Sequence, residues 1–229
     1  MTKYIFTCEH GGNLIPRKFE ALFNAHRSLL NSHRGYDIGI LDVFKHFTNH
    51  FDAPNYYSDI SRLLIEFNRS LNNKNLFSEI TKPLDSKAKK LIIDDCYLPY
   101  RNKVKSQIEK FITQKHKVVH VSFHSFTPEL NGNFRNADIG LLYDPKSINE
   151  TKFCKKWKKE ILSINPKIKV RYNYPYLGIA DGFTSYLRKE FGNKYYCGIE
   201  LEINQNIVAD EFVSEILIAS FKETIANYN

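Results

Sequence analysis

Short runs of β-branched and aromatic residues alternate along the chain with longer segments of helical periodicity. The clearest strand is predicted over residues 117–125, Lys-Val-Val-His-Val-Ser-Phe-His-Ser, and a polar turn closed by Pro128 follows it. Further strands are predicted over 3–9, 55–58, 62–68, 137–143, 168–172 and 196–203. Helices are predicted over 17–30, 37–51, 88–115 with a break near Pro99, 149–163, 183–191 and 210–226. The polar segment 70–88 predicts a surface loop.

This alternation of strands and helices predicts the fold class. It is typical of a doubly wound α/β domain with a mostly parallel or mixed sheet. No repeat and no linker-like composition interrupts the pattern, so residues 1–229 are expected to form a single domain. Loops at one edge of such a sheet converge, and residues that are distant in the sequence can meet there.

Composition is that of an ordinary soluble globular protein, with 42% hydrophobic and 25% charged residues in 229. No apolar run approaches the ~20 residues that cross a bilayer. The first residues lack the apolar region of a signal peptide. These features predict a cytoplasmic protein without a membrane span.

Cysteine spacing and net charge narrow the function classes. The four cysteines are scattered without a Cys-x-x-Cys pair, which argues against a cysteine zinc cage. The net charge is +8, but the lysines are spread over the chain and no nucleic-acid motif accompanies them. Nucleic acid is therefore a disfavoured partner, whereas a positive protein attracts a small anionic substrate.

Polar side chains at three predicted strand ends suggest a metal site with a general base beside it. His10 follows the first strand, His124 ends the central strand, and Glu200 and Glu202 lie in the strand 196–203. Zinc in hydrolases typically takes three protein ligands and leaves one coordination position open. The two histidines suit ligand roles, and either glutamate suits the base. Both glutamates share one face of the strand, so periodicity cannot choose between them, and Glu202 is preferred because it lies nearer the strand end. His120 shares the face of His124 but lies deeper, and is predicted to be a hydrogen-bonded core histidine.

Other side chains are candidates for binding an anion. Asn68-Arg69 follows the predicted strand 62–68, and a guanidinium matches a carboxylate with two parallel hydrogen bonds. Arg135, after a Gly-Asn loop, is a second candidate, either for substrate or for a developing oxyanion. Asp37 is either the N-cap of the helix 37–51 or a functional carboxylate.

Two further patterns are interpreted as structural. His46 and His50 have the i, i+4 spacing that can bind zinc, but no neighbouring acid in the sequence supports such a site, so both are predicted to be surface helix residues. Arg62 is predicted to form an ion pair with Asp59 or Glu66.

Several blocks of the sequence together resemble a known family. The blocks are Cys8-Glu-His-Gly-Gly-Asn13, Tyr36-Asp37, Ser61-Arg-Leu-Leu-Ile-Glu-Phe-Asn-Arg69, Ser122-Phe-His-Ser-Phe-Thr-Pro128, Ile139-Gly-Leu-Leu-Tyr-Asp144 and Glu202-Ile-Asn-Gln205. They are similar to those of the N-formylglutamate amidohydrolase family, occur in the family's order and extend over nearly the whole chain. Each block is short, and the set is specific only when taken together.

The resemblance implies a fold, a cofactor and residue roles. It implies a three-layer α/β/α sandwich around a mixed, mostly parallel sheet, similar to zinc carboxypeptidases and aspartoacylases, and a site for one Zn²⁺. The implied site residues are His10 and His124 as metal ligands, Asp37 as the third ligand with Glu9 in reserve, Asn68 and Arg69 for the substrate carboxylate, and Glu202 as the catalytic acid and base. Arg135 remains the candidate that steadies the oxyanion.

Two departures separate this chain from the pattern. The related peptidases take a ligand from a glutamate three residues after the first histidine, where this chain has Asn13. The family often shows arginine where Asn204 stands, which bears on the choice of substrate.

The expected function is a zinc-dependent amidohydrolase that removes an N-formyl or small N-acyl group from an acidic amino acid such as N-formylglutamate. The alternatives are a metallopeptidase or a cell-wall amidase of the same fold, and a non-catalytic binder of anionic ligands or RNA. No pattern in the sequence predicts the oligomeric state.

Overall fold

Residues 1–226 and 228 are described by a computed structural model, and the strands within them form one main sheet. These strands are β1 (Thr2–Cys8), β2 (Asn55–Tyr57), β3 (Lys117–Phe126), β6 (Ile139–Leu142), β7 (Val170–Tyr172) and β8 (Tyr196–Asn204), and a separate hairpin joins β4 (Glu129–Leu130) to β5 (Asn133–Phe134). The order in the main sheet is β2-β1-β3-β8-β6-β7. Only the β6–β8 pairing is antiparallel among the described strands of this sheet. The prediction of a mixed, mostly parallel sheet is therefore confirmed.

Helices cover both faces of the sheet. They are a 3-10 helix (Arg17–His26), α1 (Arg27–Leu30), α2 (Ile40–Thr48), α3 (Ser86–Ile92), α4 (Leu98–Thr113), α5 (Ile148–Ile164), α6 (Phe183–Phe191) and α7 (Glu211–Ala226). Helices α2, α5 and α7 pack on one face, and α4 and α6 pack on the other. The three-layer α/β/α sandwich expected from the resemblance is confirmed. None of the helices in the described residues is long and apolar enough to cross a membrane.

A π turn (Ile93–Tyr97) joins α3 to α4, and Pro99 is the second residue of α4. The backbone stays helical from α3 through this turn into α4, so the predicted long helix changes its winding just before Pro99 and does not break there.

The two central strands, β3 and β8, have one apolar face and one face that carries polar groups. Their odd-numbered residues, among them Val121, Phe123, Ile199 and Leu201, belong to the large core beneath α2, α5 and α7. The even-numbered polar residues of these strands are His120, Ser122, His124, Glu200, Glu202 and Asn204. Because side chains repeat every second residue along a strand, these groups point to the other face. The chemistry predicted at the strand ends is thus confined to the side covered by α4 and α6.

The prediction of a strand over residues 62–68 is wrong. This segment forms turns, although Leu64, Ile65 and Phe67 are buried in a second core cluster. Its backbone bonds to a loop and to a helix side chain: the Glu66 N–H donates to Leu76 O, and Phe67 O accepts from Nη1 of Arg101 on α4. A short apolar run indicates burial, but it does not distinguish a ladder strand from a buried loop whose polar groups find such partners.

His120 is a buried core histidine, as predicted. Its Nε2 lies 2.7 Å from Thr7 Oγ1 and its Nδ1 lies 2.6 Å from Tyr196 Oη. Its side chain is fully buried. Burial lowers the pKa of His120 from 6.5 to about 4, with Arg188 contributing in the same direction and Glu9 opposing it.

This lowered pKa predicts a loss of stability in acid. Above pH 6.5 the imidazole is neutral in both states, so its contribution is complete; between pH 6.5 and 4 the unfolded chain binds the proton first, and stability falls by about 3 kcal/mol. The free energy of unfolding, measured with urea across this range, should fall more steeply for the wild type than for His120→Gln. Parallel curves for the two proteins would show that His120 does not carry this pH dependence.

Candidate active site

The candidate site lies where the carboxyl ends of three neighbouring parallel strands meet. His10 lies two residues beyond β1, His124 lies on β3, and Glu202 lies directly across from His124 on β8 in the strand register. A cavity of about 160 Å³ opens at this edge. Its lining residues are His10, Asp37, Arg62, Asn68, Arg69, His124, Ser125, Tyr176, Leu177, Ala180, Asp181, Glu200 and Glu202. The structure therefore brings together every site residue predicted from the sequence except Arg135.

Asp37 joins the two histidines. Its Oδ2 lies 2.9 Å from His124 Nδ1 and 3.4 Å from His10 Nδ1, and the two imidazole centroids are 5.0 Å apart. All three side chains are buried, and each has a ligand atom within 4.8 Å of the others. One carboxylate oxygen thus faces the same nitrogen of both rings, which is an arrangement that can surround a metal ion.

Backbone contacts place Asp37 between the strand ends. The Asp37 N–H donates to His10 O at 3.0 Å, and Ser125 Oγ donates to Ile38 O at 2.8 Å. Helix α2 begins only at Ile40, after Gly39 in a left-handed conformation with φ of 78°. The alternative of Asp37 as N-cap is therefore wrong.

A partly buried ion pair holds the other oxygen of Asp37. Arg62 Nη1 donates to Asp37 Oδ1 at 3.0 Å. Burial alone would raise the pKa of Asp37, but His10, His124 and Arg62 outweigh burial and lower this pKa well below its ordinary value. The carboxylate consequently stays ionised. Arg62 also pairs with Glu66, as predicted, whereas Asp59 is not a partner of Arg62 among the described residues.

A buried glutamate lies behind each histidine. Glu66 contacts His10 Nε2, and Glu9 Oε2 lies 3.3 Å from His124 Nε2. Carboxylates that bind the far nitrogen of a histidine fix its tautomer and its ring orientation. Glu9, the alternative to Asp37 as third ligand, lies at Nε2 of His124, whereas Asp37 lies at Nδ1 of the same ring.

Glu66 is the contact to His10 that sequence reasoning missed. Arg62 Nε and Nη2 bond Glu66 Oε2 at 2.9 and 2.6 Å, and the Asn68 N–H donates to Oε1 at 3.0 Å. The i, i+4 spacing of Arg62 and Glu66 indicated the ion pair. It gave no signal for the contact with a histidine 56 residues away.

Hydrogen bonding distinguishes Glu202 from Glu200. Glu200 Oε1 accepts from Thr184 Oγ1 at 2.6 Å, whereas Glu202 Oε2 is buried and no described residue bonds it. Burial raises the pKa of Glu202 to about 8, and the charges of Asp37 and Glu200 add to the increase against the opposing effect of His124. A carboxylate in these surroundings is a strong proton acceptor. The geometry therefore favours Glu202 over Glu200 as the base.

Asn68 and Arg69 form one wall of the cavity. Asn68 Oδ1 accepts from the Phe183 N–H at 2.6 Å, which ties this wall to the start of α6. Arg69 Nη1 donates to Asn68 O at 2.7 Å and to Asp181 O at 3.0 Å. Gly182 permits this close packing, because a Cβ there would lie 3.0 Å from Asn68 Oδ1.

Arg135 lies behind the cavity wall. Its Nη2 donates to Tyr176 Oη at 3.1 Å, and its guanidinium lies 5.0 Å from the Tyr176 ring centroid. Tyr176 belongs to the loop 174–182, which also supplies Leu177, Ala180 and Asp181 to the lining. The glycine- and tyrosine-rich composition of this loop was visible in the sequence but carried no prediction of a role.

The donor set fits Zn²⁺. Two imidazoles and one carboxylate form a typical catalytic zinc site with an open position. The lining also carries four acidic side chains, Asp37, Asp181, Glu200 and Glu202, against the two arginines Arg62 and Arg69. The unpartnered Glu202 Oε2 adds an acceptor without a donor in the described structure.

Comparison with known proteins agrees with this architecture. The chain is similar in structure to a gene product of Agrobacterium tumefaciens, with 24% identity, a TM-score of 0.83, and coverage of 98% of this chain and 90% of that one. It is also similar to an N-formylglutamate amidohydrolase from Ralstonia eutropha JMP134, with 14% identity, a TM-score of 0.67, and coverage of 96% and 93%. Likeness at these identities shows the fold alone.

Sequence comparison is more specific. No protein with a curated function matches the chain. The sequence profile of the N-formylglutamate amidohydrolase family, however, matches residues 2–209. That match covers most of the chain and includes each residue of the cavity lining. The chain therefore belongs to the N-formylglutamate amidohydrolase family and is a hydrolase that acts on an amide.

Proposed function

We propose that this protein is a zinc-dependent amidohydrolase that removes an N-formyl or small N-acyl group from an acidic amino acid such as N-formylglutamate. The observation that carries the proposal is the unpartnered Glu202 carboxylate beside the His10–Asp37–His124 group in one cavity. Family membership supports the reaction class. In this proposal residues 1–229 act as a single domain.

His10, Asp37 and His124 would hold the zinc ion. When bound, zinc lowers the pKa of a coordinated water and polarises the carbonyl that is attacked. Glu66 and Glu9 keep the imidazoles oriented from their far nitrogens. Arg62 bonds Oδ1 of Asp37, so the carboxylate keeps its position beside the two imidazoles.

Glu202 moves the proton. Its carboxylate accepts a proton from the attacking water as the new carbon–oxygen bond forms. The same carboxyl then donates that proton to the amide nitrogen as the carbon–nitrogen bond breaks. A raised pKa suits both steps, since the group must accept and release a proton near neutral pH. The products are the free amino acid and formate or another small carboxylate.

Asn68 and Arg69 bind the carboxylate of the amino acid in this proposal. The cavity of about 160 Å³ supports a small substrate, since pockets for drug-sized ligands occupy roughly 300–1,000 Å³. This size favours an N-acyl amino acid over the larger ligands of a peptidase or cell-wall amidase. Arg135 contributes through Tyr176. It donates a hydrogen bond to the Tyr176 hydroxyl and holds it at the cavity wall, and in this proposal that hydroxyl faces the developing oxyanion.

Arg69→Met is expected to raise the KM for N-formylglutamate by about 10–100-fold with a smaller change in kcat, because a hydrogen bond to a charged group contributes about 1.5–3 kcal/mol. Steady-state kinetics with N-formylglutamate, and with N-formylglutamine, which keeps the α-carboxylate and lacks only the side-chain charge, check this result. Arg135→Met is the matched control, because that arginine lies behind the wall, and its effect should fall on kcat instead. An unchanged KM for N-formylglutamate in Arg69→Met would remove Arg69 from substrate binding.

A screen of N-acyl amino acids tests the reaction itself. The zinc-loaded protein should hydrolyse N-formyl and small N-acyl derivatives of glutamate or aspartate faster than those of glutamine or leucine. Release of the free amino acid is the readout. Absence of turnover across the whole set, by a folded and zinc-loaded protein, would contradict the proposed substrate class.

A further inference from the structure

A second group of side chains whose donor atoms suit a metal ion lies on the surface, outside the cavity lining. His46 is on α2, His50 follows the end of that helix, and Glu215 is on α7. All three are exposed, with 49% of the His46 side chain and 59% of the Glu215 side chain accessible. None of them has a part in the proposed hydrolysis.

The geometry of these three side chains is compact. His46 Nε2 lies 2.8 Å from Glu215 Oε1, and the rings of His46 and His50 meet edge to face with centroids 5.2 Å apart. One ligand atom from each residue lies within 4.8 Å of the other two. Two imidazole nitrogens and a carboxylate oxygen can therefore turn toward one common point.

The fold fixes the backbone that carries these donors. Helices α2 and α7 pack against each other over the main core, where the rings of Phe47 and Phe221 lie 5.3 Å apart. Phe47 lies next to His46, so the position of the histidine relative to α7 is set by buried contacts. The sequence-based interpretation found no neighbouring acid, because Glu215 lies 169 residues from His46. The prediction that both histidines are surface residues is confirmed, and the acid beside them comes from tertiary packing.

A groove gives access to the group. It has a volume of about 490 Å³, lies between α2 and the start of α7, and includes His46 and Glu215 in its lining. Asp42 and Glu211 line it as well, each one helical turn from His46 or Glu215. Three carboxylates thus surround this groove on a chain of net charge +8, and they favour the approach of a cation.

We propose that His46, His50 and Glu215 bind one divalent transition-metal ion of the class of Zn²⁺, Ni²⁺ or Cu²⁺. Imidazole donors select these ions over Mg²⁺ and Ca²⁺, which prefer oxygen ligands. Three protein donors leave a position for water. The bound ion joins α2 to α7 and stabilises the folded chain without taking part in amide hydrolysis.

Titration of the untagged full chain with Zn²⁺ alone, followed by competition with a chromophoric chelator, tests this site. The wild type should bind a zinc ion that His50→Ala weakens at least tenfold and that the double variant His46→Ala/His50→Ala loses. His33→Ala is the matched control, because His33 is an exposed histidine outside the cluster, and it should bind zinc as the wild type does. Hydrolysis of N-formylglutamate should be equal in the four proteins when the candidate active site is loaded.

Each outcome of this titration supports or overturns zinc binding by His46, His50 and Glu215. Zinc affinity that is unchanged in the double variant, or lost equally in His33→Ala, overturns the surface site. The result for His124→Ala separates this site from the proposed active-site metal. A zinc ion that persists in His124→Ala but disappears in the double variant supports the surface site even if the active site binds none.

Discussion

Glu202→Gln is expected to lower kcat for amide hydrolysis by about 10²–10⁴-fold, the range for loss of a general acid–base catalyst. Glutamine keeps the shape of the side chain but cannot accept the proton of the attacking water. Substrate binding and zinc content should change little, because in this proposal Glu202 neither binds the substrate carboxylate nor ligates the zinc ion. Kinetics on a zinc-loaded, folded variant, with its metal content measured in parallel, provide the check.

Glu200→Gln is the matched control for this result. Glu200 lies two residues earlier on the same face of β8 and lines the same cavity, but Thr184 already occupies its Oε1. The loss of activity in Glu200→Gln should be much smaller than the loss in Glu202→Gln. A folded Glu202→Gln protein with undiminished turnover, or a larger loss in Glu200→Gln, would assign the proton transfer to another group.

The second large effect is expected for Asp37→Asn, which should lose zinc and activity together. The amide keeps the volume of the side chain but removes the charge that faces both Nδ1 atoms. Zinc affinity by chelator competition, measured together with activity, is the test. The substitution also leaves Arg62 with only Glu66 as an acidic partner among the described residues, so cooperative thermal unfolding should be verified first.

Glu9→Gln separates the two candidates for the third ligand. If Glu9 only orients His124 from its far nitrogen, its substitution should weaken zinc binding by about 10–100-fold, as is typical of an outer partner of a metal ligand. Asp37→Asn should have the larger effect. The reverse order, with zinc retained in Asp37→Asn and lost in Glu9→Gln, would make Glu9 the ligand.

The sequence predicted the fold and the places of His10, His124 and Glu202 because these depend on strand patterns, whereas Asp37 was assigned to the site by the family resemblance. Strands β3 and β8 are runs of β-branched and aromatic residues, and parallel strands expose their carboxyl ends at one edge. The pairing of β1, β3 and β8 as neighbours then brings His10, His124 and Glu202 to that edge.

Contacts between distant loops and helices lay beyond what the sequence could predict. The apolar residues of 62–68 correctly indicated burial, but the backbone partners that replace a strand ladder come from another loop and from Arg101 on α4. Glu66 meets His10, and Glu215 meets His46, only because of tertiary packing. The choice between Glu202 and Glu200 likewise required Thr184, which occupies one of two glutamates that strand periodicity makes equivalent.

The zinc content of the purified protein tests most directly whether His10 and His124 surround one ion. Elemental analysis should be made on three untagged proteins that all carry His46→Ala/His50→Ala to exclude the surface site. One has no further change, one also carries His10→Ala, and one also carries His124→Ala. One tightly held zinc ion per chain in the protein with intact His10 and His124, and none in the other two folded proteins, is the predicted result. Equal zinc in all three, or full hydrolytic activity in a wild type freed of metal by a chelator, would contradict the account.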